Sequence, residues 1–402
     1  MIRLIKSFKI KKNTINESRH AIKHVTIVIL LFFFFQPFGT VTAQKKKMYA
    51  GKLKFPFDGA YWDTSGTKSH VVSFKGIRAL QMEANTNAVV LKNFNLSNGT
   101  IEFDTQPIDV KGFSPIGVYF RRTDGKESEY LYIRTKTDDR KRDNDDIQYV
   151  PIIKSALPFN MYPHFDGPGD FHNDQWNHVK IVLSGFQMKV YVNNMNETVL
   201  DIPRLESNSG SGSIGFDGRA YFANVVITPE DTGDLSPLEG IDPTRHDLNY
   251  IRKWAVTTAK VLAPGKELTQ VDLPVDTVKW FPITAERRGM INLTRLYGSC
   301  DTNRFVWLKS TITSNKDQLM LCQLGFCDEV YVFANKKLID ADKNQFGLPL
   351  SKFPNGCLNI DNSMISIPLK KGDNEILIGV VNNFYGWGIM ARLKNLNGIT
   401  TL

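Results

Sequence analysis

Alternating apolar and polar positions dominate two neighbouring segments near the middle of the chain. After Asp174-Gln175-Trp176-Asn177, apolar side chains recur at every second residue, first at Val179, Ile181 and Leu183 and then at Phe186, Met188, Val190 and Val192. A period of two is typical of strands that bury one face. Asn193 and Asn194 follow directly and tolerate the left-handed backbone of a tight hairpin. The pattern predicts antiparallel strands in two sheets packed face to face.

Three earlier segments show the same alternation and place polar residues opposite an apolar face. Ile101 and Phe103, Val118 and Phe120, and Leu131 and Ile133 mark the apolar face, which leaves Glu102, Asp104, Gln106, Tyr119, Arg121, Tyr130, Tyr132 and Arg134 on the other. If the three strands share a sheet, these side chains line one outer surface. Aromatic rings pack against sugar C–H groups, and arginines and carboxylates bond to hydroxyls, so we predict a carbohydrate groove. The alternative is a solvated face with cross-strand ion pairs.

The second half of the chain carries further strand patterns. Residues 305–308, 330–333 and 376–380 are apolar segments separated by polar turns. The stretch from Pro229 onward is rich in Asp, Glu, Gly and Pro, which is typical of a linker. We therefore predict an all-β chain with two β-sandwich, jelly-roll domains at 48–228 and 251–396, joined by a linker at 229–250.

Residues 1–43 have the pattern of a secretory signal peptide. They include seven basic residues, one acidic residue, an apolar run at 25–35 and Val41-Thr42-Ala43. The pattern predicts cleavage after Ala43 and a secreted or periplasmic protein without a stable membrane anchor; an uncleaved anchor is the alternative. Cleavage reduces the formal charge from +9 to about +3, so net charge gives no support for a nucleic-acid partner.

All four cysteines, Cys300, Cys322, Cys327 and Cys357, lie in the second half. An oxidising compartment permits disulfides, but four cysteines allow three complete pairings and the sequence does not select one. Metal binding by these thiols is the weaker interpretation, because the chain has no Cys-x-x-Cys motif and no histidine after His246.

The first half resembles the concanavalin A-like sandwich of the laminin G and 3-keto-disaccharide hydrolase-like families. The resemblance rests on Trp176-Asn177 at a strand start, Asn193-Asn194 at a hairpin, Ile214-Gly215-Phe216 at a turn and Phe222-Ala223-Asn224-Val225 in a last strand. It implies a sandwich in a secreted bacterial protein with a role in glycan biology. Because this fold hosts lectins, glycosidases and lyases, it does not select a reaction.

The second half resembles the galactose-binding-like jelly rolls of secreted glycan-processing proteins. Residues 330–338 match their strand and hairpin, and residues 369–376 match their "Leu-x-x-Gly-x-Asn-x-Ile" strand entry. Trp387 lies between Gly386 and Gly388, in the place of a glycine-flanked aromatic. This arrangement predicts either an exposed platform for sugar stacking or a buried core residue at a tight bend.

Two carboxylates of the predicted groove invite comparison with a catalytic motif. Glu102-Phe103-Asp104-Thr105-Gln106 is similar to the Glu-x-Asp-x-Glu strand of family-sixteen glucanases, in which the first and last residues are the nucleophile and the acid/base. Retaining hydrolysis needs two carboxyls about 5 Å apart. Gln106 cannot donate and regain a proton, so the catalytic pair would be broken and Glu102 and Asp104 remain only candidates.

The long loop at 157–174 carries His164, Asp166, Asp170 and His172. Long loops often carry function, and this one is expected to wall the groove. A histidine with a nearby aspartate would form a general-base pair or a metal site, although surface histidines are the simpler interpretation. The charged run at 138–146 is most simply a solvated loop, with Asp143 and Asp145 as weak candidates for calcium and no other cofactor predicted.

The leading hypothesis is a carbohydrate-binding protein, non-catalytic and associated with glycan breakdown. The expected ligand-binding residues are Tyr119, Arg121, Tyr130, Tyr132, Arg134, Asp166 and Trp387. The first alternative is a hydrolase or lyase of the 3-keto-disaccharide hydrolase-like type, with Glu102, Asp104, His164 or His172 as acid/base groups. The second is a structural or adhesive surface protein. Convergence of Arg121, Tyr130, Tyr132, Glu102 and His172 in one cleft would support the groove.

Overall fold

Strands in the first half follow the alternating patterns of the sequence. The computed structural model describes residues 51–84, 87–108, 115–135, 146–299 and 301–401. The first-half strands are β1 (Leu53–Lys54), β2 (Trp62–Asp63), β3 (Ser69–Phe74), β4 (Ile77–Met82), β5 (Val89–Leu91), β6 (Gly99–Pro107), β7 (Pro115–Arg122), β8 (Ser128–Arg134), β9 (Ile147–Ile152), β10 (Asp166–Gly167), β11 (Asn177–Ser184), β12 (Gln187–Val192), β13 (Leu200–Ile202), β14 (Ser213–Asp217) and β15 (Ala220–Pro229).

These strands form two antiparallel sheets, which together are called the first sandwich. The β6 sheet has the order β13-β12-β11-β6-β15-β4-β3, with β1 beside β15, and the β8 sheet has the order β10-β9-β8-β7-β14-β5-β2. Between them, the rings of Phe103, Phe216 and Phe222 contact one another with centroids 4.8–6.4 Å apart. Full burial of such a side chain contributes about 1.5–3 kcal/mol, so the alternating apolar positions stabilise the pair of sheets.

The second half builds two further antiparallel sheets, the second sandwich. Their orders are β18-β16-β20-β25-β22-β23, with β17 and β27 beside β20, and β19-β26-β21-β24. The strands are β16 (Lys253–Val256), β17 (Lys260–Val261), β18 (Phe281–Thr284), β19 (Met290–Asn292), β20 (Arg304–Ser314), β21 (Gln318–Cys327), β22 (Glu329–Ala334), β23 (Lys337–Lys343), β24 (Ser363–Leu369), β25 (Gly372–Asn382), β26 (Gly388–Leu393) and β27 (Ile399–Thr401). The predicted all-β sandwich class is confirmed.

Helical structure within the described ranges is short. The α-helix α1 spans Leu293–Tyr297, and 3₁₀ turns span Phe159–Met161, Pro163–Phe165, Gln270–Asp272 and Arg287–Gly289. Across the part of the chain that the structure describes, no helix is both long and apolar enough to cross a membrane.

Apolar packing continues from the first sandwich into the second. Met161, Tyr162 and Phe165 belong to the same hydrophobic cluster as Leu358 and Met390 of the second sandwich. The described residues accordingly belong to one compact unit. Of the cysteines, Cys322, Cys327 and Cys357 are buried free thiols, and Cys300 lies outside the described residues.

Candidate functional site

The three strands of the predicted groove do not share a sheet. β6 belongs to one sheet of the first sandwich, whereas β7 and β8 belong to the opposite sheet. Glu102 and Asp104 therefore lie on one outer surface and Tyr130 and Tyr132 on the other. The prediction of one shared face is wrong, because alternation assigns the faces of a strand only within its own sheet.

The predicted tyrosines form a closed network instead of an open surface. The rings of Tyr119, Tyr130 and Tyr132 stack with centroids 4.4 and 5.5 Å apart, and Tyr130 and Tyr132 are each only 5% exposed. Tyr119 and Tyr130 donate to the two carboxylate oxygens of Asp217 at 2.7 and 3.0 Å. Burial and this carboxylate raise the pKa of both phenols, so the hydroxyls stay protonated as donors.

Arg134 completes this network at its far end. Its guanidinium donates to the Tyr132 hydroxyl at 2.9 Å and to Gln148 at 2.6 Å, and lies 3.6 Å from Asp166. Gln148 in turn donates to the carbonyl of Tyr162 at 3.2 Å. The predicted set of Tyr132, Arg134 and Asp166 is thus brought together, but these groups bind one another and the loop that covers them.

Arg121 departs from the predicted alternation because β7 carries an irregularity at this point. Its backbone is left-handed with φ 49°, and the pairing of β7 with β14 shifts register here. The side chain is buried and donates to the carbonyls of Ser97 at 2.6 Å and Gly185 at 2.7 Å. Both carbonyls lie next to strands of the β6 sheet, so Arg121 ties the two sheets together; it also lines a second cavity with Glu129 and Ser209.

Glu102 and Asp104 meet a histidine on the outer face of the β6 sheet. His178 of β11 pairs with Asp104 of β6, and their Nδ1 and Oδ1 atoms are 2.7 Å apart. The His178 Nε2 atom lies 3.6 Å from Glu102, and Asn224 donates to Asp104 at 2.6 Å. The contact with Asp104 raises the pKa of His178, which is 39% exposed. This arrangement matches the alternative interpretation of a solvated face with cross-strand ion pairs.

The other predicted residues lie apart from these groups. His172 pairs with Asp170 at 3.3 Å in an exposed part of the loop. Trp387 is 0% exposed within the core of the second sandwich, so the prediction of an exposed platform is wrong and its alternative, a buried core residue, holds. Asp143 and Asp145 lie outside the described residues. Among the residues that are described, no group of three His, Cys, Asp or Glu side chains has metal-binding geometry.

The loop at 157–165 inserts its two 3₁₀ turns against the second sandwich. Fully buried Asn160 donates to the Gly386 carbonyl at 2.9 Å and accepts from the Gly386 amide at 3.1 Å. A Cβ atom at Gly386 would lie 2.3 Å from Pro158 Cβ, and one at Gly388 would lie 2.9 Å from Met161 Cε. The glycines beside Trp387 therefore permit the close approach of the loop.

A cavity of about 240 Å³ opens beside this loop, between the two sandwiches. We call it the inter-sandwich cavity. Apolar side chains form much of its wall, and charged groups converge on it from both halves. Its lining includes Met161, His164, Phe165 and Glu206 from the first sandwich, and Tyr250, Glu286, Arg287 and Arg288 from the second half of the chain.

Glu206 is the most perturbed carboxyl of the cavity. It is 7% exposed, and burial raises its pKa from 4.5 to about 7. The nearest cation is Arg287, whose Nε lies 3.9 Å from Glu206 Oε1, at the long end of an ion pair. A carboxyl that is half protonated near neutral pH can both donate and accept a hydrogen bond, which suits a hydroxylated ligand or proton transfer.

Two arginines of this region join segments that are distant in the chain. Arg295 belongs to α1, and its backbone amide donates to the side chain of the N-cap residue Asn292. Its guanidinium donates to both carboxylate oxygens of Glu286, at 2.5 and 3.1 Å. It also donates to Asn208 at 2.8 Å and to the Glu206 carbonyl at 3.0 Å, which both belong to the first sandwich. Arg287 donates to the carbonyls of Gly240 and Ile241, both at 2.8 Å.

His164 is the one predicted catalytic candidate that lines the cavity. Burial, followed by the charges of Arg288 and Arg287, lowers its pKa to about 3. The imidazole is therefore neutral at physiological pH and offers one donor and one acceptor nitrogen. Tyr250, 8% exposed, lies on the opposite half of the chain, where Gly289 leaves room for its ring.

Glu206, Tyr250, Glu286 and Arg288 were not predicted as site residues. Glu206 lies in a loop without an alternating pattern, and Tyr250 lies at the end of the segment interpreted as a linker. The sequence offered one signal, the charged triplet Glu286-Arg287-Arg288 before a glycine. Its meaning depends on the loop of the first sandwich that packs against it.

Comparisons with known proteins show likeness in solved structures only. No protein-family model matches the chain, and no curated protein matches it. The carbohydrate-binding module CBM66 from Bacillus subtilis is 17% identical, covers 41% of this chain and 92% of its own, and has a TM-score of 0.31. The exoplasmic/lumenal domain of VIP36 (13% identical; 47% and 97% covered; TM-score 0.32) and the β-glucanase of Bacillus licheniformis (10%; 46% and 100%; 0.32) are also similar. At these TM-scores the likeness assigns no function.

Proposed function

We propose that this protein binds carbohydrate in the inter-sandwich cavity. The observation that supports the proposal is the convergence of polar groups from both halves of the chain on one partly apolar concavity. Binding sites of this kind combine an apolar wall with a few placed polar groups that orient the ligand. Following the leader pattern, we also propose that the protein is exported to the periplasm or beyond and begins at Gln44.

The chemistry of the wall suits a sugar. Met161, Phe165 and Tyr250 offer apolar surface to ring C–H groups, while Glu206 and His164 offer both donors and acceptors to hydroxyls. The volume of about 240 Å³ lies below the range of about 300–1,000 Å³ for drug-sized ligands. We therefore expect one or two sugar units of a chain to enter the cavity.

A second function, glycan cleavage, is favoured by the pKa of Glu206. A general acid that works near neutral pH needs a pKa close to the pH of the reaction, and burial gives Glu206 a pKa of about 7. Cleavage also needs a second carboxylate. Glu286 is less suited to that role, because Arg295 donates to both of its oxygens. Binding without cleavage is therefore the proposal, and cleavage is the alternative.

Glycan-array screening of the chain from Gln44, followed by calorimetry with the best oligosaccharide, tests the proposal. Tyr250→Phe removes one hydroxyl from the cavity, and we expect affinity to fall about three- to tenfold. Tyr385→Phe is the matched control, since Tyr385 is 46% exposed and does not line the cavity. Failure of a correctly folded chain to bind any glycan, or equal affinity of both variants and the parent, would refute it.

The same samples distinguish binding from cleavage. If the bound oligosaccharide is hydrolysed or eliminated over time and Glu206→Gln stops the release of products while binding persists, the protein is an enzyme. Unchanged oligosaccharide after prolonged incubation supports the binding function. Binding to a protein partner that sugars do not compete away would favour an adhesive role.

A further inference from the structure

Most of the charged side chains around the inter-sandwich cavity have a hydrogen-bond or ion-pair partner within the protein. Glu286 and Arg295 satisfy each other, and Arg287 is occupied by the carbonyls of Gly240 and Ile241. Asp242, at the rim, accepts hydrogen bonds from the Thr244 amide and hydroxyl and from the Arg288 backbone amide. Among the arginines that line the cavity, Arg288 is left without a side-chain partner in the described ranges.

Arg288 is exposed at the mouth of the cavity and lines it. Within the described ranges, only its backbone amide makes a hydrogen bond to another residue, and its guanidinium makes neither a hydrogen bond nor an ion pair. Its backbone is left-handed, with φ 61° and ψ 15°. A residue other than glycine holds this conformation at a cost of about 1–2 kcal/mol, and such outliers cluster at functional positions.

Two further donors without a described partner, on His164 and Tyr250, line the same cavity as this guanidinium. Burial, followed by the charge of Arg288, lowers the pKa of His164, and burial raises the pKa of Tyr250 against the charges of Arg392 and Arg288. Across the described residues, no hydrogen bond occupies the ring nitrogens of His164 or the hydroxyl of Tyr250. His164, Tyr250 and Arg288 line the same cavity, which thus offers a guanidinium, an imidazole N–H and a phenol O–H, a set of donors that matches an anionic oxygen cluster.

We propose that the ligand of the inter-sandwich cavity is an acidic sugar whose carboxylate or sulfate ester is bound by Arg288, with His164 and Tyr250 as supporting donors. The inference rests on the proposed carbohydrate-binding function and adds the charge of the ligand. Arginine is suited to this role because its planar fork bonds to two oxygens of a carboxylate or sulfate at once. A neutral sugar would leave that fork facing water.

The experiment compares four forms of the full chain from Gln44, the parent and three variants, on an array of neutral, carboxylated and sulfated oligosaccharides, followed by calorimetry. In Arg288→Gln the charge is removed, and in Arg288→Lys it is kept without the fork; both keep a Cβ and hence the same backbone strain. Arg245→Gln is the matched control, because Arg245 is exposed in the adjoining segment and does not line the cavity.

We expect the parent to bind acidic oligosaccharides best and Arg288→Gln to bind them roughly 10- to 100-fold more weakly, as for the loss of a charged hydrogen bond. Arg288→Lys should fall between the two, and Arg245→Gln should match the parent. Preference for carboxylated over sulfated glycans, or the reverse, identifies the acidic group.

Three outcomes overturn the inference in distinguishable ways. If neutral oligosaccharides bind best and Arg288→Gln binds them as the parent does, the cavity takes sugars but not acidic ones, and the proposed function stands. If no glycan binds to a chain whose thermal unfolding shows it to be folded, both proposals fail. Equal loss of acidic binding in Arg245→Gln and Arg288→Gln would mean that general surface charge, not this site, attracts the ligand.

Discussion

Two regions of this protein combine histidine with carboxylates, and they behave in opposite ways. On the outer face of the β6 sheet, His178 contacts Asp104 at 2.7 Å in reach of solvent, and the contact raises its pKa. In the inter-sandwich cavity, burial raises the pKa of Glu206 to about 7 and, with two arginines, lowers that of His164 to about 3. Burial, and not residue type, separates the two regions.

The difference matters for function because water weakens the charge interactions on the outer face of the β6 sheet more than those in the inter-sandwich cavity. Exposed ion pairs contribute about 0–1 kcal/mol, since solvent screens their charges. A carboxyl in a cavity keeps the full effect of its surroundings, so it is poised to respond to a ligand or a proton. The sequence pointed to the outer face as a candidate site, but the larger pKa shifts lie in the cavity.

Replacement of Glu206 should have the largest effect. Since its pKa rises from 4.5 to about 7 on folding, the folded state binds the proton more tightly than the unfolded state. Glu206 thus contributes stability below about pH 4.5, and this is lost as the pH rises through about 7. We expect Glu206→Gln to gain up to about 3 kcal/mol in the free energy of unfolding, relative to the parent, between pH 4.5 and pH 8.

Chemical denaturation at several pH values measures this difference. Exposed Glu197→Gln is the control, and we expect it to change the free energy of unfolding by less than about 0.5 kcal/mol at every pH. A difference between Glu206→Gln and the parent that does not vary with pH would show that the cavity resembles the exposed face.

Gly386→Ala should have the next largest effect, because the added methyl group would overlap with the loop of the first sandwich that packs against Gly386. The new Cβ would lie 2.3 Å from Pro158 Cβ and 2.7 Å from Pro158 Cα. Overpacking of this kind costs about 1–3 kcal/mol, measured as a drop in the free energy of unfolding. Gly59→Ala is the matched control, since its Cβ would meet nothing within 4 Å. Equal losses in the two variants would contradict close packing of the loop at 157–165.

The two histidines should show the smallest effect on stability but the clearest contrast. By NMR titration, we expect the midpoint of His178 above 6.5 and no titration of His164 between pH 8 and pH 4.5. Stability from His178 is present below its unfolded pKa of 6.5 and is lost as the pH rises through its folded value. Its size should stay below about 1 kcal/mol, because the pair is exposed.

Asp104→Asn tests the cause of the contrast between the two histidines. It removes the charge that raises the pKa of His178, so the midpoint of His178 should fall while His164 remains silent. Titration of His164 near 6.5 would show that the cavity is open to water and is not set apart from the exposed face.

Several elements could be predicted from the sequence because their cause is local. Alternation at Val179, Ile181 and Leu183 predicts β11 correctly, since the faces of a strand depend only on its own residues. The buried alternative for Trp387 was also available from its flanking glycines. The face of β7 on which Arg121 lies could not be predicted, because a left-handed residue breaks the alternation there and arginine gives no sequence signal for that conformation.

The class of fold follows from the sequence alone, through apolar positions with a period of two and turns between them. The sequence also placed His164 in a loop long enough to carry function. Which polar residues meet depends on the folded chain, because Glu206, Tyr250 and Arg288 come from segments far apart in the sequence. Their protonation follows from the same cause, since the desolvation of a side chain is set by what packs around it.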